Sequence, residues 1–211
     1  MKITTALFDL DGVLIDSKLL VKGAFIHTFA TFNIPDERHF FGTTALSGLS
    51  LVETYQTVAP DADISKLTKA HAAFQNDNLH LVTPFDDAVV TLKELRRKGV
   101  NIGVITNRSI NARHILEHCG LDSLIDLVVS VEDVVNPKPH PEGILKAMAH
   151  FGSKPYETIM VGDMPVDITA GKSAGVTTVA VDTSNCLDEL RKNNPSFLIQ
   201  RVSELIPLFF S

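Results

Sequence analysis

From Pro84 to Val181 the chain alternates helix and strand four times over, and that rhythm constrains its fold more than any other feature. A helix is read over 86–98, with Ala88, Leu92 and Leu95 on one face. Arg96, Arg97 and Lys98 fill its last turn, where cations oppose the helix dipole, and Gly99 follows as a stop. Strands at 100–105, about 126–130, 157–161 and 176–181 alternate with helices at 109–118, 141–151 and 165–174; Gly120 and Gly175 close two of those helices. Such a run predicts an α/β fold, a doubly wound parallel sheet with helices on both faces. In sheets of this kind ligands collect at the carboxyl ends of the strands.

A further strand opens the chain. Residues 3–8 are apolar and stop on Asp9-Leu10-Asp11-Gly12. On an extended backbone Asp9 and Asp11 send their side chains to the same side. Gly12 then permits a sharp turn. Two like charges this close repel, and each favours a proton or a cation. Either acid alone would suit a polar strand end or a helix cap. Both together, bounded by apolar residues, point to a counter-ion or a reaction.

Between the first strand and Pro84 the pattern is helical. Val21, Phe25, Phe29 and Phe32 recur at helical spacing until Asn33 and Pro35 end the run. Further helices are read around 50–59 and 64–81, joined through Ala59-Pro60-Asp61, and no strand is convincing over 36–82. The expected organisation is therefore a core of residues 1–15 and 83–211, with a small all-helical unit of residues 16–82 inserted after the first strand.

Composition narrows the function. A chain of 211 residues, 45% of them hydrophobic, has ample material for a buried core. Its net charge of −6 opposes a nucleic-acid footprint, yet it does not oppose a small phosphate whose charge a metal neutralises locally. Cys119 and Cys186 show no C-x-x-C spacing, which suits a reducing cytoplasm. Asp9 and Asp11 interrupt any signal-peptide core, and no apolar run reaches the roughly 18 residues of a membrane helix.

The remaining strand ends add to the two acids. The strand at 100–105 stops at Thr106-Asn107, where a hydroxyl and backbone N–H groups could hold an anion or simply cap a helix. After the strand at 126–130 comes Asn136-Pro137-Lys138-Pro139-His140-Pro141, in which prolines restrict where Lys138 points. The strand at 157–161 runs into Gly162-Asp163-Met164-Pro165-Val166-Asp167, with two more carboxylates around a helix start. Taken singly, each is an ordinary cap, surface lysine or helix-start acid. Converging on one sheet edge, hard oxygen ligands without His or Cys suit Mg²⁺.

These segments resemble the haloacid dehalogenase superfamily of phosphohydrolases. Phe8-Asp9-Leu10-Asp11-Gly12-Val13-Leu14-Ile15-Asp16-Ser17 resembles its first motif, Thr106 its second, Lys138 its third and Gly162–Asp167 its fourth. The helical insert is similar to the cap of the phosphoglycolate phosphatase-like subgroup, with Gly48-Leu49-Ser50-Leu51-Val52-Glu53 in the place of that subgroup's cap turn. Asp11 argues against a dehalogenase, since those members lack the second acid. The resemblance implies that Asp9 is the nucleophile that takes the phosphoryl group. It makes Asp11 the general acid and base. Mg²⁺ would be held by Asp9, the Asp11 carbonyl and Asp163, with Asp167 at or just beyond the metal's own ligands. Thr106 and the backbone of Asn107 would hold the phosphoryl oxygens, and Lys138 would offset the charge of nucleophile and phosphate. The implied substrate is a small phosphorylated metabolite, a phosphomonoester of the phosphoglycolate kind, with selectivity from residues near 16–20 and 43–53.

Inorganic pyrophosphate hydrolysis and a sugar-phosphate mutase of the beta-phosphoglucomutase kind are alternatives on the same chemistry. Those mutases carry an arginine in the cap turn and a histidine early in the first cap helix. Here Ser47-Gly48-Leu49-Ser50-Leu51 has no arginine, and Val21 stands at the histidine's place. A non-enzymatic scaffold would be expected to lack one of Asp9, Asp11, Lys138 or Asp163. Gly171-Lys172-Ser173 is no phosphate-binding loop, because Val166 occupies the position of its first glycine. His114 and His118 share a helix face without a third ligand, His140 reads as a loop residue that could border the site, and the two cysteines read as packing residues.

Overall fold

In the structure, a computed structural model describing residues 2–35, 49–108, 111–183 and 186–209, the first strand is the centre of the sheet. Strand β1 (Thr5–Phe8) pairs in parallel with β4 (Asn101–Ile105) on one side and with β6 (Thr158–Gly162) on the other. Beyond these lie β5 (Leu127–Val129) next to β4, and β7 (Thr177–Val181) and β8 (Phe197–Ile199) next to β6, all parallel. The order β5-β4-β1-β6-β7-β8 puts the switch in winding direction at β1.

Alternation along β1 divides the core between the two faces. Ala6 and Phe8 pack with Ile102, Val104, Ile159 and Val161 under α4 (Asp86–Arg97) and α5 (Ala112–His118). Leu7 faces the other way, with Met160, Ile105 and Val129, under α6 (Glu142–Phe151) and α7 (Pro165–Ser173). Every residue of β1 is buried, so each apolar side chain contributes roughly 1.5–3 kcal/mol and the strand has no solvent side on which to slip. The doubly wound α/β reading holds.

The insert leaves and rejoins this core through an antiparallel two-stranded ribbon, β2 (Ile15–Asp16) against β3 (Thr83–Pro84). Between them run α1 (Lys18–Phe32), α2 (Leu51–Val58) and α3 (Ile64–Asp77). The aromatic stripe read in the sequence closes the insert's own cluster: Phe25 and Phe29 are buried against Tyr55 and Leu67, with Val21 and Phe32 at the rim. Asn33 ends α1 in the left-handed conformation at φ 52°. Ser50 and Glu53 form a reciprocal cap on α2, and Asp63 caps α3. The long helix expected over 64–81 stops at Asp77; Asn78 leaves helical geometry and a short 3₁₀ turn covers 79–81. Leu20, Leu79 and Val82 join the main core, so the insert is anchored by packing as well as by its ribbon.

Two parts of the fold were not anticipated. β2 and β3 are too short to show any period, and β8 is a three-residue edge strand with only Ile199 buried. After β8, α9 (Leu205–Phe209) brings Leu205 back onto the α4 side of the core, and α8 (Leu187–Lys192) buries Leu190 near α7. Among the described residues no helix is long and apolar enough to cross a membrane.

Inside the insert a polar chain runs through apolar surroundings. Gln75 Oε1 accepts from Arg108 and from Asn111, which turns its amide nitrogen toward His71 Nε2 at 3.0 Å. That nitrogen must therefore accept, which leaves the proton of a neutral imidazole on Nδ1, 2.9 Å from the Tyr55 hydroxyl. Burial, and then the charge of Arg108, lowers the His71 pKa from 6.5 to about 3. Above pH 6.5 the ring is neutral whether folded or unfolded; below it the unfolded chain takes a proton that the folded chain refuses. His71 thus removes stability progressively as pH falls from about 6.5 toward 3. Between about pH 6.5 and about 4.5 the native chain should lose roughly 2–3 kcal/mol more unfolding free energy than His71→Gln, measured by denaturant titration. Parallel pH curves for the two proteins would refute this.

Candidate active site

The site assembles where β1, β4 and β6 end. Asp9 continues the β1–β6 pairing through its N–H to Val161 O (2.8 Å), and its Oδ1 accepts from Leu10 N at 2.8 Å. The chain then turns, with Gly12 at φ +78°. A Cβ on Gly12 would stand 2.1 Å from Asp163 Oδ2, and one on Gly162 2.2 Å from Asp167 Cβ. Both glycines are there because carboxylates occupy the space a side chain would take.

Lys138 holds two of those acids. Its buried ammonium donates to Asp9 Oδ1 at 2.8 Å and to Asp167 Oδ1 at 2.6 Å. Asp167 Oδ2 accepts from Met164 N at 3.0 Å, so both of its oxygens are engaged. Besides the flanking prolines, Asn107 fixes Lys138, its amide gripping the Lys138 backbone from both sides: Nδ2 donates to Lys138 O (2.8 Å) and Oδ1 accepts from Lys138 N (3.0 Å). Thr106 is buried at the end of β4, its N–H on Val129 O and its hydroxyl oxygen accepting from Arg108 N at 3.1 Å.

Asp9, Asp163 and Asp167 bring carboxylate oxygens within 4.8 Å of one another, all three residues buried. Burial, and then Asp167 and Asp163, push the Asp9 pKa well above the usual carboxylate value against the pull of Lys138. Lys138 shows the complement: burial would lower its pKa, but Asp167 and Asp9 raise it. Three carboxyl groups gathered round one ammonium form a buried cluster that has more acids than its one cation can pair, and no His or Cys is among its members. That donor set fits one hard divalent cation.

Asp11 lies apart from this cluster. Its carboxylate takes a two-pronged contact from Arg108, Nε to Oδ2 at 2.9 Å and Nη2 to Oδ1 at 2.5 Å, and a short hydrogen bond from the Ser17 hydroxyl. The expectation of a shared side for the two acids assumed an extended backbone, but the strand ends at Phe8 and the chain bends between them. Burial would raise the Asp11 pKa; the charge and hydrogen bonds of Arg108, helped by Ser17, bring it below the usual value instead. Arg108, Gln75 and Asn111 were not singled out from the sequence, and Ser17 only as part of a motif. The signal was there: a cation one residue beyond Thr106-Asn107, and His71 and Gln75 on the same face of α3 as Leu67.

The other candidates fall outside the site. His114 and His118 are exposed on α5, and the exposed His140 accepts from Glu142 N at 3.2 Å through its ring. Lys172 donates to Asn193 O on the surface. Cys186 is buried and its thiol contacts Asp163 O at 3.0 Å; burial, then Asp163, Glu189 and Asp182, push it up to about 11. Gly48 and Ser47 lie outside the described residues, and Ser50 opens α2.

Residues 6–181, spanning all of these strand ends, match the family of haloacid dehalogenase-like hydrolases. The chain belongs to that family. It is 34% identical over 211 residues to pyrophosphatase PpaX of Bacillus cereus, covering 99% of this chain and 97% of the relative. A subfamily IA hydrolase of the same superfamily from Geobacter sulfurreducens is similar in structure, at 27% identity and a TM-score of 0.75 over 98% of this chain and 96% of that one. Beta-phosphoglucomutase from Clostridium difficile shares the fold at 20% identity and a TM-score of 0.82, over 96% of this chain and 93% of its own. The hydrolase fold thus carries more than one reaction, and side chains must decide between them.

Gly12→Ala should displace Asp163, whereas Gly99→Ala, at φ +73° with open space around it, bears only the backbone cost. Gly99→Ala should lose about 1–2 kcal/mol of stability and Gly12→Ala more, and of the two only Gly12→Ala should lose any thermal stabilisation by an added divalent cation such as Mg²⁺. Equal Mg²⁺ responses in the two variants would sink the close-approach reading.

Proposed function

We propose that this hydrolase of phosphoric ester bonds is a Mg²⁺-dependent phosphatase acting on a small phosphomonoester through an aspartyl-phosphate on Asp9. The observation that carries the reading is the unequal setting of two acids two residues apart. Asp9 faces the acid cluster and Lys138, and Asp11 faces Arg108 and Ser17. Environments that differ this much suit different roles.

Asp9, as the carboxylate, would attack phosphorus as the bond to the leaving oxygen breaks; Asp11, which Arg108 keeps ionised in the resting site, would take up a proton as its carboxyl turns from that contact and would pass it to the leaving oxygen. Asp11 would then take a proton from the water that attacks the aspartyl-phosphate, releasing phosphate and the Asp9 carboxylate. Thr106 and the backbone of Asn107 would orient the phosphoryl oxygens, and Lys138 would lower the repulsion between carboxylate and phosphate. Asp9, Asp163 and the Asp11 carbonyl are the proposed ligands of Mg²⁺. Asp167, with both oxygens already engaged, fits a place one water away. When bound, the cation supplies charge neutralisation that Lys138 alone does not.

In the same reading residues 16–82 act as a lid hinged at the β2–β3 ribbon, closing over the leaving group and excluding water. The free cysteines suit a reducing cytoplasm. Pyrophosphate is a second substrate reading, favoured by the full-length likeness to PpaX. The mutase reading is weaker: Val21 packs in the insert's apolar cluster, where the resemblance would require a histidine.

Asp9→Asn should abolish turnover while the chain still folds, and Asp11→Asn should slow it by about 10²–10⁴-fold. Activity should vanish with EDTA and return with Mg²⁺, while Ca²⁺, with its looser coordination, should inhibit. A panel of phosphate esters and pyrophosphate assayed by phosphate release checks both. Steady-state activity in purified Asp9→Asn, or full activity in chelator, would falsify the assignment.

A further inference from the structure

Arg108 is a second buried cation whose place the chemistry above leaves unexplained. Lys138 already serves the nucleophile side, bridging Asp9 and Asp167. Arg108 stands on the other side, over Asp11, with its side chain only 7% exposed. Asp11 is the one carboxylate it bonds among the described residues, while Asp9 acts on it through charge alone; its other side-chain contacts are the neutral amides of Gln75 at 2.8 Å and Asn111 at 3.4 Å. Those amides are themselves joined, Asn111 Nδ2 donating to Gln75 Oε1 at 3.0 Å. Gln75 from the insert and Asn111 from the start of α5 thus hold the guanidinium independently of Asp11, and would keep it in place if the Asp11 carboxyl turned away.

Resting on the role proposed for Asp11, we infer that Arg108 is a specificity residue that binds an anionic group on the departing half of the substrate. The leaving oxygen must meet Asp11, and Arg108 grips both oxygens of Asp11. Any charged group one or two bonds beyond that oxygen therefore falls within reach of the same fork. A guanidinium presents paired N–H donors matched to carboxylate and phosphate. An uncharged alcohol offers it nothing, and leaves a desolvated cation facing an apolar group. The substrate class this favours is a phosphoanhydride, or an ester with a carboxylate beside the leaving oxygen. Selection would thus come from the core strand end, steadied by α3, and not from the insert alone.

The test compares three substrates at saturating Mg²⁺ in the native chain, Arg108→Gln and Arg108→Lys. Pyrophosphate and phosphoglycolate have anionic leaving groups, one a phosphate and one a carboxylate. Beta-glycerophosphate needs the same proton from Asp11 but departs uncharged. For Arg108→Gln, kcat/KM should fall about 100-fold or more on one or both anionic substrates, and no more than about 10-fold on beta-glycerophosphate. Which anionic substrate falls further identifies the phosphate or the carboxylate as the favoured group. Arg108→Lys keeps the cation and should recover most of that selectivity, and it decides the matter if the glutamine variant does not fold. An equal fall on all three substrates in either folded variant means that Arg108 only positions Asp11, and overturns the inference. A native chain that hydrolyses beta-glycerophosphate but neither anionic substrate overturns the inference alone. One inert toward all three with Mg²⁺ overturns the phosphatase reading as well.

Discussion

The ammonium of Lys138, set between Asp9 and Asp167, is the contact on which the arrangement of the strand ends depends. Burying acids at the end of a strand is costly, and a buried ion pair deprived of one partner typically loses about 3–5 kcal/mol. Asp9 arrives just after β1, Asp167 at the start of α7 after β6, and Lys138 from the loop beyond β5, so these contacts tie together segments far apart in sequence. Asn107 fixes the lysine's backbone from the end of β4. The remaining negative charge is what makes a divalent cation the natural complement, and what makes the glycines at 12 and 162 necessary for close approach.

A second chain of contacts couples the insert to the same place. It runs from Tyr55 through His71 and Gln75 to Arg108 and Asp11, with the orientation of each member set by its neighbour. Ser17 shows what this coupling costs locally. It stands at the N-cap of α1 but makes no capping bond, because its hydroxyl is committed to Asp11. A missing cap of that kind is worth about 1 kcal/mol to a helix. The start of the insert is thereby tied to the carboxylate proposed as acid, and any movement of α1 alters that carboxylate's surroundings.

Much of this was legible in the chain because it rests on local signals. The central strand, the helix–strand alternation and the acids, hydroxyl and lysine at strand ends follow from period, turn residues and charge. Val21, Phe25, Phe29 and Phe32 foretold the insert's first helix and its packing. What escaped depends on distance or on brevity. β8 has a single buried residue, and β2 and β3 have two residues each. Arg108 reads as an ordinary loop arginine until the fold brings it to Asp11, 97 positions away in sequence. Its partner Gln75 shares the buried face of α3 with Leu67 and His71, but a helical stripe cannot say which polar side chain on that face will find a charge to bond.

The two acids also differ in what builds their surroundings, and that difference bears on how such a site can change substrates. Asp9 is surrounded by core elements: β6 through Val161, the loop of Lys138 and the segment carrying Asp163 and Asp167. Asp11 is held by Ser17, at the start of the insert, and by Arg108, which the insert's Gln75 steadies. Substitutions in the insert can therefore reshape the surroundings of Asp11, the proposed leaving-group side, while Asp9, proposed as nucleophile, stays fixed by the sheet with Lys138 and the acid cluster. A fold partitioned this way can keep one phosphoryl-transfer chemistry and vary what departs from it. The chain's likeness in fold to a mutase and its full-length likeness to a pyrophosphatase are compatible with such a partition.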